Sequence, residues 1–172
     1  MQISNGATWT NTATDDTTID SLTGATGEGA KTGYINMSEN TAADLTVKEY
    51  SGETTFVYAN NYGKDVEDDK LIKGGAVEIK AAADGSVATM RTNNIGTSDK
   101  DEVERVLKAL AKKLAYSGYD GSLQNQKLTG KVQIMEGMTG SSVTREGLIK
   151  FDATSNGSLD TSKDVTIDYT GD

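Results

Sequence analysis

Pairs of acidic residues are the side chains in this sequence that could do chemistry without a cofactor. The candidates are Asp15-Asp16, Glu67-Asp68-Asp69 and Glu78. Glycoside hydrolysis needs two carboxylates about 5 to 9.5 Å apart on a shared face, and each candidate could supply one. Because Asp and Glu make up 26 of the 172 residues, acidic pairs also meet by chance. A solvated acidic surface is therefore the simpler interpretation.

Other catalytic chemistries lack their usual residues. The chain has no His and no Cys, which removes the commonest general base, the thiolate nucleophile and Cys-based zinc sites. Residues 152–160 place oxygen ligands around Asn156-Gly157, loosely like a calcium loop, but without its Asp-x-Asp-x-Asp-Gly order or distal Glu. An ordinary Asn-Gly turn is the better interpretation. We predict no catalytic, cofactor-binding or metal site, and no cofactor.

Charge and hydropathy exclude two kinds of partner. The formal net charge is −9, whereas phosphate binding is carried by clustered Lys and Arg, so nucleic acid is not an expected partner. No segment reaches 18 consecutive apolar residues, and the N-terminus lacks a charged-then-apolar signal sequence. We expect no membrane insertion by this segment. Any secretion would be specified by parts of a longer protein.

The elements that must position these side chains are short strands with a recurring signature. It appears at Leu45-Thr46-Val47, Val77-Glu78-Ile79, Val132-Gln133-Ile134 and Val165-Thr166-Ile167, so that the first and last gaps are nearly equal and the middle gap is longer. Two apolar residues flank a polar one, so one face of each strand is apolar. A unit of about 30 residues cannot bury such a face alone, which favours stacked repeats. The pattern predicts that the four segments lie in register along one parallel sheet of a β-solenoid.

One amphipathic helix interrupts the repeat. Apolar residues recur at helical spacing along a single stripe: Val103, Val106, Leu107, Leu110 and Leu114. The pattern predicts a helix over about 98–116, with Ser98 as its N-cap. Omitting residues 97–121 brings the long middle gap close to the other two. We therefore predict one solenoid domain over 1–172, with 97–121 a helical insertion that packs against its flank and adds no strand to the repeat. A partner-binding or membrane-surface helix is the alternative.

A family resemblance rests mainly on the N-terminal residues. The segment Asn5-Gly6-Ala7-Thr8-Trp9-Thr10-Asn11-Thr12, followed by Thr17-Thr18-Ile19-Asp20-Ser21-Leu22, resembles a rung in the passengers of classical, pertactin-like autotransporter adhesins of Gram-negative bacteria. Residues 128–139 and 167–172 are similar in texture. The resemblance implies a right-handed parallel β-helix on the cell surface, exported through the outer membrane by a C-terminal barrel outside this sequence. Trp9 is then interpreted as a buried or half-buried anchor on an inner face, with an exposed sugar-stacking platform as the alternative.

These observations favour a non-catalytic, secreted or surface-displayed scaffold that adheres to host protein or glycan. The alternatives are a carbohydrate-active β-helix enzyme, either a polysaccharide lyase or a glycosidase, and a purely structural stalk. Acidic residues protect the C-terminal end at Asp164, Asp168 and Asp172, whereas residues 1–7 have none. Since unprotected strand edges pair with neighbours, we expect any self-association to run through the N-terminal edge.

Overall fold

Short strands account for most of the regular structure. The computed structural model describes residues 1–27, 29, 31–39, 43–119, 127–138, 141–152, 154 and 156–171. In these residues the elements in chain order are β1 (Thr8–Thr10), β2 (Thr17–Thr23), β3 (Gly33–Asn36), β4 (Leu45–Ser51), β5 (Glu53–Tyr58), a 3-10 helix (Asp68–Lys70), β6 (Val77–Ile79), β7 (Ser86–Asn93), α1 (Lys100–Ala111), β8 (Leu114–Tyr116), β9 (Leu128–Met138), β10 (Ser141–Phe151), β11 (Gly157–Leu159) and β12 (Thr166–Gly171).

The strands form two sheets, and the chain alternates between them from β1 to β9. Odd-numbered strands build the parallel part of an eight-stranded sheet, in the order β1-β3-β5-β7-β9. Even-numbered strands build a four-stranded parallel sheet, in the order β2-β4-β6-β8. The protein is thus mostly β with parallel sheets, in agreement with the prediction at that level.

Equivalent positions of successive strands share the core. In the eight-stranded sheet one row runs Trp9, Ile35, Phe56, Met90 and Val132. The last four are fully buried, and Trp9 packs half-buried against the same core, as expected for an inner-face anchor. The four-stranded sheet contributes two matching rows, whose residues are Thr17, Leu45, Val77 and Leu114, and Ile19, Val47, Ile79 and Tyr116. Apolar alternation with period two therefore builds the core from rows.

Asparagines repeat where strands of the eight-stranded sheet end. The side-chain oxygens of Asn11, Asn36 and Asn60 each accept a hydrogen bond from the backbone N–H two residues later, at 3.0, 2.9 and 3.1 Å. In this Asx turn the side chain accepts a hydrogen bond from a backbone N–H group just beyond the strand. The turn directs the chain toward the other sheet. The same type of turn therefore follows or ends three successive strands of this sheet, although the three asparagines are not at equivalent register positions.

Aspartates join neighbouring segments of the chain at the start of the four-stranded sheet. Asp16 Oδ1 accepts from the Asp44 N–H, and Asp44 Oδ1 accepts from the Ala76 N–H, each at 2.8 Å. Beside them the backbone approaches closely, since a Cβ on Gly75 would lie 1.7 Å from the Ala43 carbonyl oxygen. Only glycine fits at this point without a backbone shift, so Gly75 allows the two segments to approach this closely.

Antiparallel strands follow the last parallel strand. β9 pairs with β10 along most of its length, and β10 then pairs with β12 through its first half and β11 through its second. Helix α1 packs on β7, β9 and β11, with Val106, Leu107 and Leu110 fully buried. The helix thus covers apolar surface, as predicted.

The predicted stacking of the four signatures is correct for two of them. Leu45 and Val47 lie opposite Val77 and Ile79 in a parallel pair. Val132 and Ile134 instead belong to the other sheet, in β9, while Ile167 lies in β12 and pairs antiparallel with β10. An apolar-polar-apolar triplet marks any half-buried strand, so it did not distinguish between the sheets.

The predicted helix was too long at both ends. It begins at Lys100 rather than 98, and the N-cap is Asp99 rather than Ser98. The Asp99 carboxylate accepts from the N–H groups of Asp101 and Glu102 at 3.0 and 3.2 Å. The helix ends at Ala111, and Leu114–Tyr116 forms β8, which pairs in parallel with β6. The prediction that 97–121 adds no strand was therefore wrong; residues 120 and 121 lie outside the described part.

Candidate functional site

The outer face of the eight-stranded sheet carries a connected row of polar and aromatic side chains. Strand register places Asn36, Val57, Arg91, Gln133 and Glu146 side by side across five strands. These residues face away from the core because they alternate with the row that contains Ile35 and Phe56. The result is an outer surface to which five neighbouring strands contribute.

Hydrogen bonds hold the far end of this row in place. The Arg91 guanidinium donates to Gln133 Oε1 from Nε and Nη2 at 3.1 and 2.9 Å. Gln133 Nε2 donates to Glu146 Oε2 at 2.8 Å, and Lys131 Nζ lies 3.5 Å from Glu146 Oε1. The charges on this part of the face are therefore already engaged with one another.

Tyr34 lies beside this row on the same face, two residues before Asn36 in β3. The Arg91 Cζ atom lies 5.8 Å from the centre of the Tyr34 ring, within the range of a cation–π contact. Tyr34 is half-buried and lines the groove described next. Tyr34 therefore offers both an aromatic face and a hydroxyl group at the surface.

A groove of about 510 Å³ runs beside Tyr34 at the ends of the strands. Its lining residues are uncharged: Thr8, Tyr34, Asn36, Ser38, Val57, Tyr58, Ala59, Asn60, Thr92, Asn93 and Asn94. A quarter of the chain is charged, so this composition is distinctive. Amides, hydroxyls and one accessible ring suit a neutral ligand rich in hydroxyl groups.

The asparagines that line the groove are held by the fold. Asn36 Oδ1 accepts from both the backbone N–H and the hydroxyl of Ser38. Asn60 Nδ2 donates to Thr92 Oγ1 at 2.9 Å and to the Asn93 carbonyl at 2.7 Å. The turns at Asn36 and Asn60 therefore also hold the wall of the groove in place.

The acidic residues singled out in the sequence occupy separate places. Asp16 caps the Asp44 N–H, and Glu78 accepts from the Ser117 hydroxyl on the face of the four-stranded sheet. Asp68 forms an ion pair with Arg105 of α1, with 2.7 Å between Oδ1 and Nε. Asp16, Glu78 and Asp68 therefore each have a structural partner.

One cavity does gather several carboxylates. It measures about 360 Å³ near the C-terminal end of α1, and its charged lining residues are Asp44, Asp68, Asp69, Lys112 and Lys113. Lys113 Nζ donates to the Gly74 carbonyl at 2.8 Å, and burial lowers the pKa of this ammonium. Sequence reasoning did not bring Asp44 together with Asp68 and Asp69, because the contact depends on how α1 and the 3-10 helix pack.

The loosely calcium-like segment uses its carboxylates within turns. Asp152 Oδ1 accepts from the backbone N–H and the hydroxyl of Thr154 and from the Asn156 N–H, and these bonds lower the Asp152 pKa. Residues 153 and 155 of this segment lie outside the described residues. Across the described chain, no group of three His, Cys, Asp or Glu side chains is arranged to hold a metal ion.

Comparisons with known proteins identify no relative. No family model, curated protein or solved structure matches the chain. Within the described residues, every helix is too short or too polar to cross a membrane.

Proposed function

We propose that this chain is a segment of a right-handed parallel β-helix that serves as a non-catalytic, secreted or surface-displayed scaffold, as in the passengers of Gram-negative autotransporter adhesins. The strict alternation of β1 to β9 between two parallel sheets supports the β-helix. Right-handed connections between parallel strands are strongly preferred, which supports the hand. A stack of repeated coils is suited to surface display, because each added coil lengthens the exposed surface and packs on its neighbour in the same way.

The adhesive part of the proposal is carried by the uncharged groove. A stalk without ligands needs only solvated, charged outer faces, whereas this groove combines the half-buried Tyr34 with fixed amides and hydroxyls. A neutral glycan presents apolar C–H faces that stack on aromatic rings and hydroxyls that bond to amides. A host glycan is therefore the partner that this surface fits best, with a polar protein loop as the other candidate.

The first prediction is that the purified protein binds neutral oligosaccharides on a glycan array and that Tyr34→Ala weakens this binding about tenfold, the scale of one aromatic contact. Thr46→Ala is the control, because Thr46 lies on the outer face of the four-stranded sheet. Tyr34→Ala should melt at a temperature close to that of the unchanged protein. If binding is absent, or survives Tyr34→Ala undiminished, the groove is not a glycan site and the stalk function replaces adhesion.

A carbohydrate-active enzyme is the second candidate, and the cavity lined by Asp44, Asp68 and Asp69 is the observation that favours it. Two of these carboxylates are already committed, Asp44 to the Ala76 N–H and Asp68 to Arg105. A glycosidase needs one carboxylic acid and one free carboxylate or nucleophile. Asp69 alone is a weak basis for that chemistry.

The second prediction follows from these commitments. Purified protein incubated with plant, mucin and glycosaminoglycan polysaccharides should release no reducing ends or unsaturated products. The Asp69→Asn variant should likewise release no product above background. Turnover by the unchanged protein that Asp69→Asn abolishes, with an unaltered melting temperature, would replace the scaffold with an enzyme.

A further inference from the structure

Strand β12 forms a free edge of the eight-stranded sheet. In the described structure it pairs only with β10, in antiparallel register from Thr166 opposite Glu146 to Gly171 opposite Ser141. In an antiparallel pair, alternate residues direct their N–H and C=O groups toward the partner strand, and the others direct them away. The outer edge of β12 therefore presents backbone donors and acceptors to one more strand.

One face of this edge strand is apolar and exposed. Val165, Ile167 and Tyr169 are spaced two residues apart, so in extended chain they lie on one face. Val165 is half-buried against the core, whereas Ile167 is 53% exposed and Tyr169 is 73% exposed. Apart from Met1, these two are the only large hydrophobic residues that are exposed in the described part of the chain. Apolar side chains grouped beside a free strand edge indicate a binding surface.

Negative charge without a partner lies along the same strand. Asp168 alternates with the apolar residues and therefore lies on the opposite face, and both Asp168 and Asp164 are exposed. Neither carboxylate belongs to an ion pair among the described residues. Lys163 is the neighbouring cation, but it already lies near another carboxylate: the Ser162 hydroxyl and, to a smaller extent, Lys163 lower the pKa of Asp160.

These charges decide between two possible occupants of the edge. The chain has a formal net charge of −9, and two β12 strands paired with each other would bring the Asp164 and Asp168 carboxylates of both copies to one interface. Like charges on neighbouring strands are destabilising, whereas opposite charges are favourable. A strand with a basic residue beside Asp168 therefore fits the edge better than a second copy of this chain.

From these features we propose that β12 binds an extended segment of a partner protein as one more strand of the sheet. The segment alternates apolar residues, which cover Ile167 and Tyr169, with polar residues that include a Lys or Arg beside Asp168. Backbone pairing supplies affinity in this mode of recognition, and the alternating side chains supply specificity. The site is separate from the groove beside Tyr34, because β5, β7, β9 and β10 lie between β3 and β12. It does not depend on the scaffold proposal.

The test is an NMR titration of the full chain with the capped peptide acetyl-TIKVTV-amide, which has this alternation. The peptide should shift the amide resonances of Ile167, Asp168 and Tyr169 saturably. Acetyl-TIEVTV-amide replaces its Lys by Glu and should bind about three- to tenfold more weakly, the scale of one charge pair across strands. A version of TIKVTV that is N-methylated at every residue lacks the backbone donors of a strand and should not bind.

Three variants test the contribution of the edge itself. Asp168→Lys should reverse the preference, so that the Glu peptide binds more tightly than the Lys peptide. Tyr169→Thr keeps a good strand former but removes apolar surface, and it should weaken the Lys peptide about fivefold. Asp84→Lys makes the same charge reversal at an exposed turn residue away from β12, and it is the matched control that should leave both affinities unchanged. All three positions are exposed, so the variants should melt close to the unchanged protein.

Several results would overturn the proposal. It fails if the Lys peptide does not approach saturation by about 2 mM, near the weak limit of measurable affinity. It fails equally if the N-methylated peptide binds as well as its parent, or if Asp168→Lys leaves the preference unchanged. Ultracentrifugation of the chain alone tests the other occupant. A dimer that Tyr169→Thr dissociates would make a second copy, and not a partner segment, the occupant of this edge.

Discussion

Phe56→Ala is expected to lower the free energy of unfolding by about 3–5 kcal/mol, the range for truncating a buried aromatic residue. Phe56 is fully buried and lies in register between Ile35 and Met90, which are also fully buried. Backbone ladders to the neighbouring strands hold these residues in place, so the row cannot collapse easily around a cavity. Urea unfolding monitored by far-ultraviolet circular dichroism measures the loss.

The adjacent residue provides the control for this substitution. Val57 lies on the outer face of the same strand and is only half-buried. Val57→Ala should cost about 1 kcal/mol or less, since it leaves no closed cavity. Equal losses for Phe56→Ala and Val57→Ala would contradict the division of β5 into a core face and an outer face.

Strand positions were largely predictable because alternation is a local property. The run Thr17-Thr18-Ile19-Asp20-Ser21-Leu22 predicts a strand, and β2 spans Thr17–Thr23. The Ser51-Gly52 turn between two alternating runs likewise predicts the boundary between β4 and β5, where Gly52 adopts a φ of 77°. In each case the signal lies within a few residues of the feature that it predicts.

The sheet to which a strand belongs was not predictable from the same signal. Val132-Gln133-Ile134 and Leu45-Thr46-Val47 have the same pattern, yet they lie in different sheets. The sheet that a strand joins depends on how many residues lie in the turns and loops that precede it. The return from Val77 to its partner Leu114 is longer than the return from Leu45 to Val77, because α1 lies within it. The buried Leu114 matches both the alternation of a strand and the apolar stripe of the helix. The sequence alone therefore did not show that it lies in β8.

The candidate site could not be predicted from the sequence, for a related reason. Arg91, Gln133 and Glu146 are distant in sequence, and only the register of β7, β9 and β10 makes them neighbours. The repeated asparagines at 11, 36 and 60 were a usable signal, because they recur at nearly even spacing. They lie at or just after the ends of β1, β3 and β5 and so indicate where these strands end.

Leu110→Asp is expected to destabilise the protein by about 2–4 kcal/mol, the scale for an unpaired polar group in an apolar contact. Leu110 is fully buried on the face of α1 that covers the sheets. This substitution tests the packing of α1 more specifically than a deletion of residues 97–121, because the deletion would also remove β8 and its pairing with β6. Chemical denaturation followed by circular dichroism gives the change.

Lys108→Asp is the control for the helix itself. Lys108 is exposed in the last turn, so the substitution introduces the same side chain without burial. It removes a favourable charge near the helix C-terminus and should cost no more than about 1 kcal/mol. If Leu110→Asp costs no more than Lys108→Asp, α1 is not packed on the sheets as described. A large loss for Leu110→Asp alone, with the β-type spectrum retained at low denaturant, is the outcome that a docked helix requires.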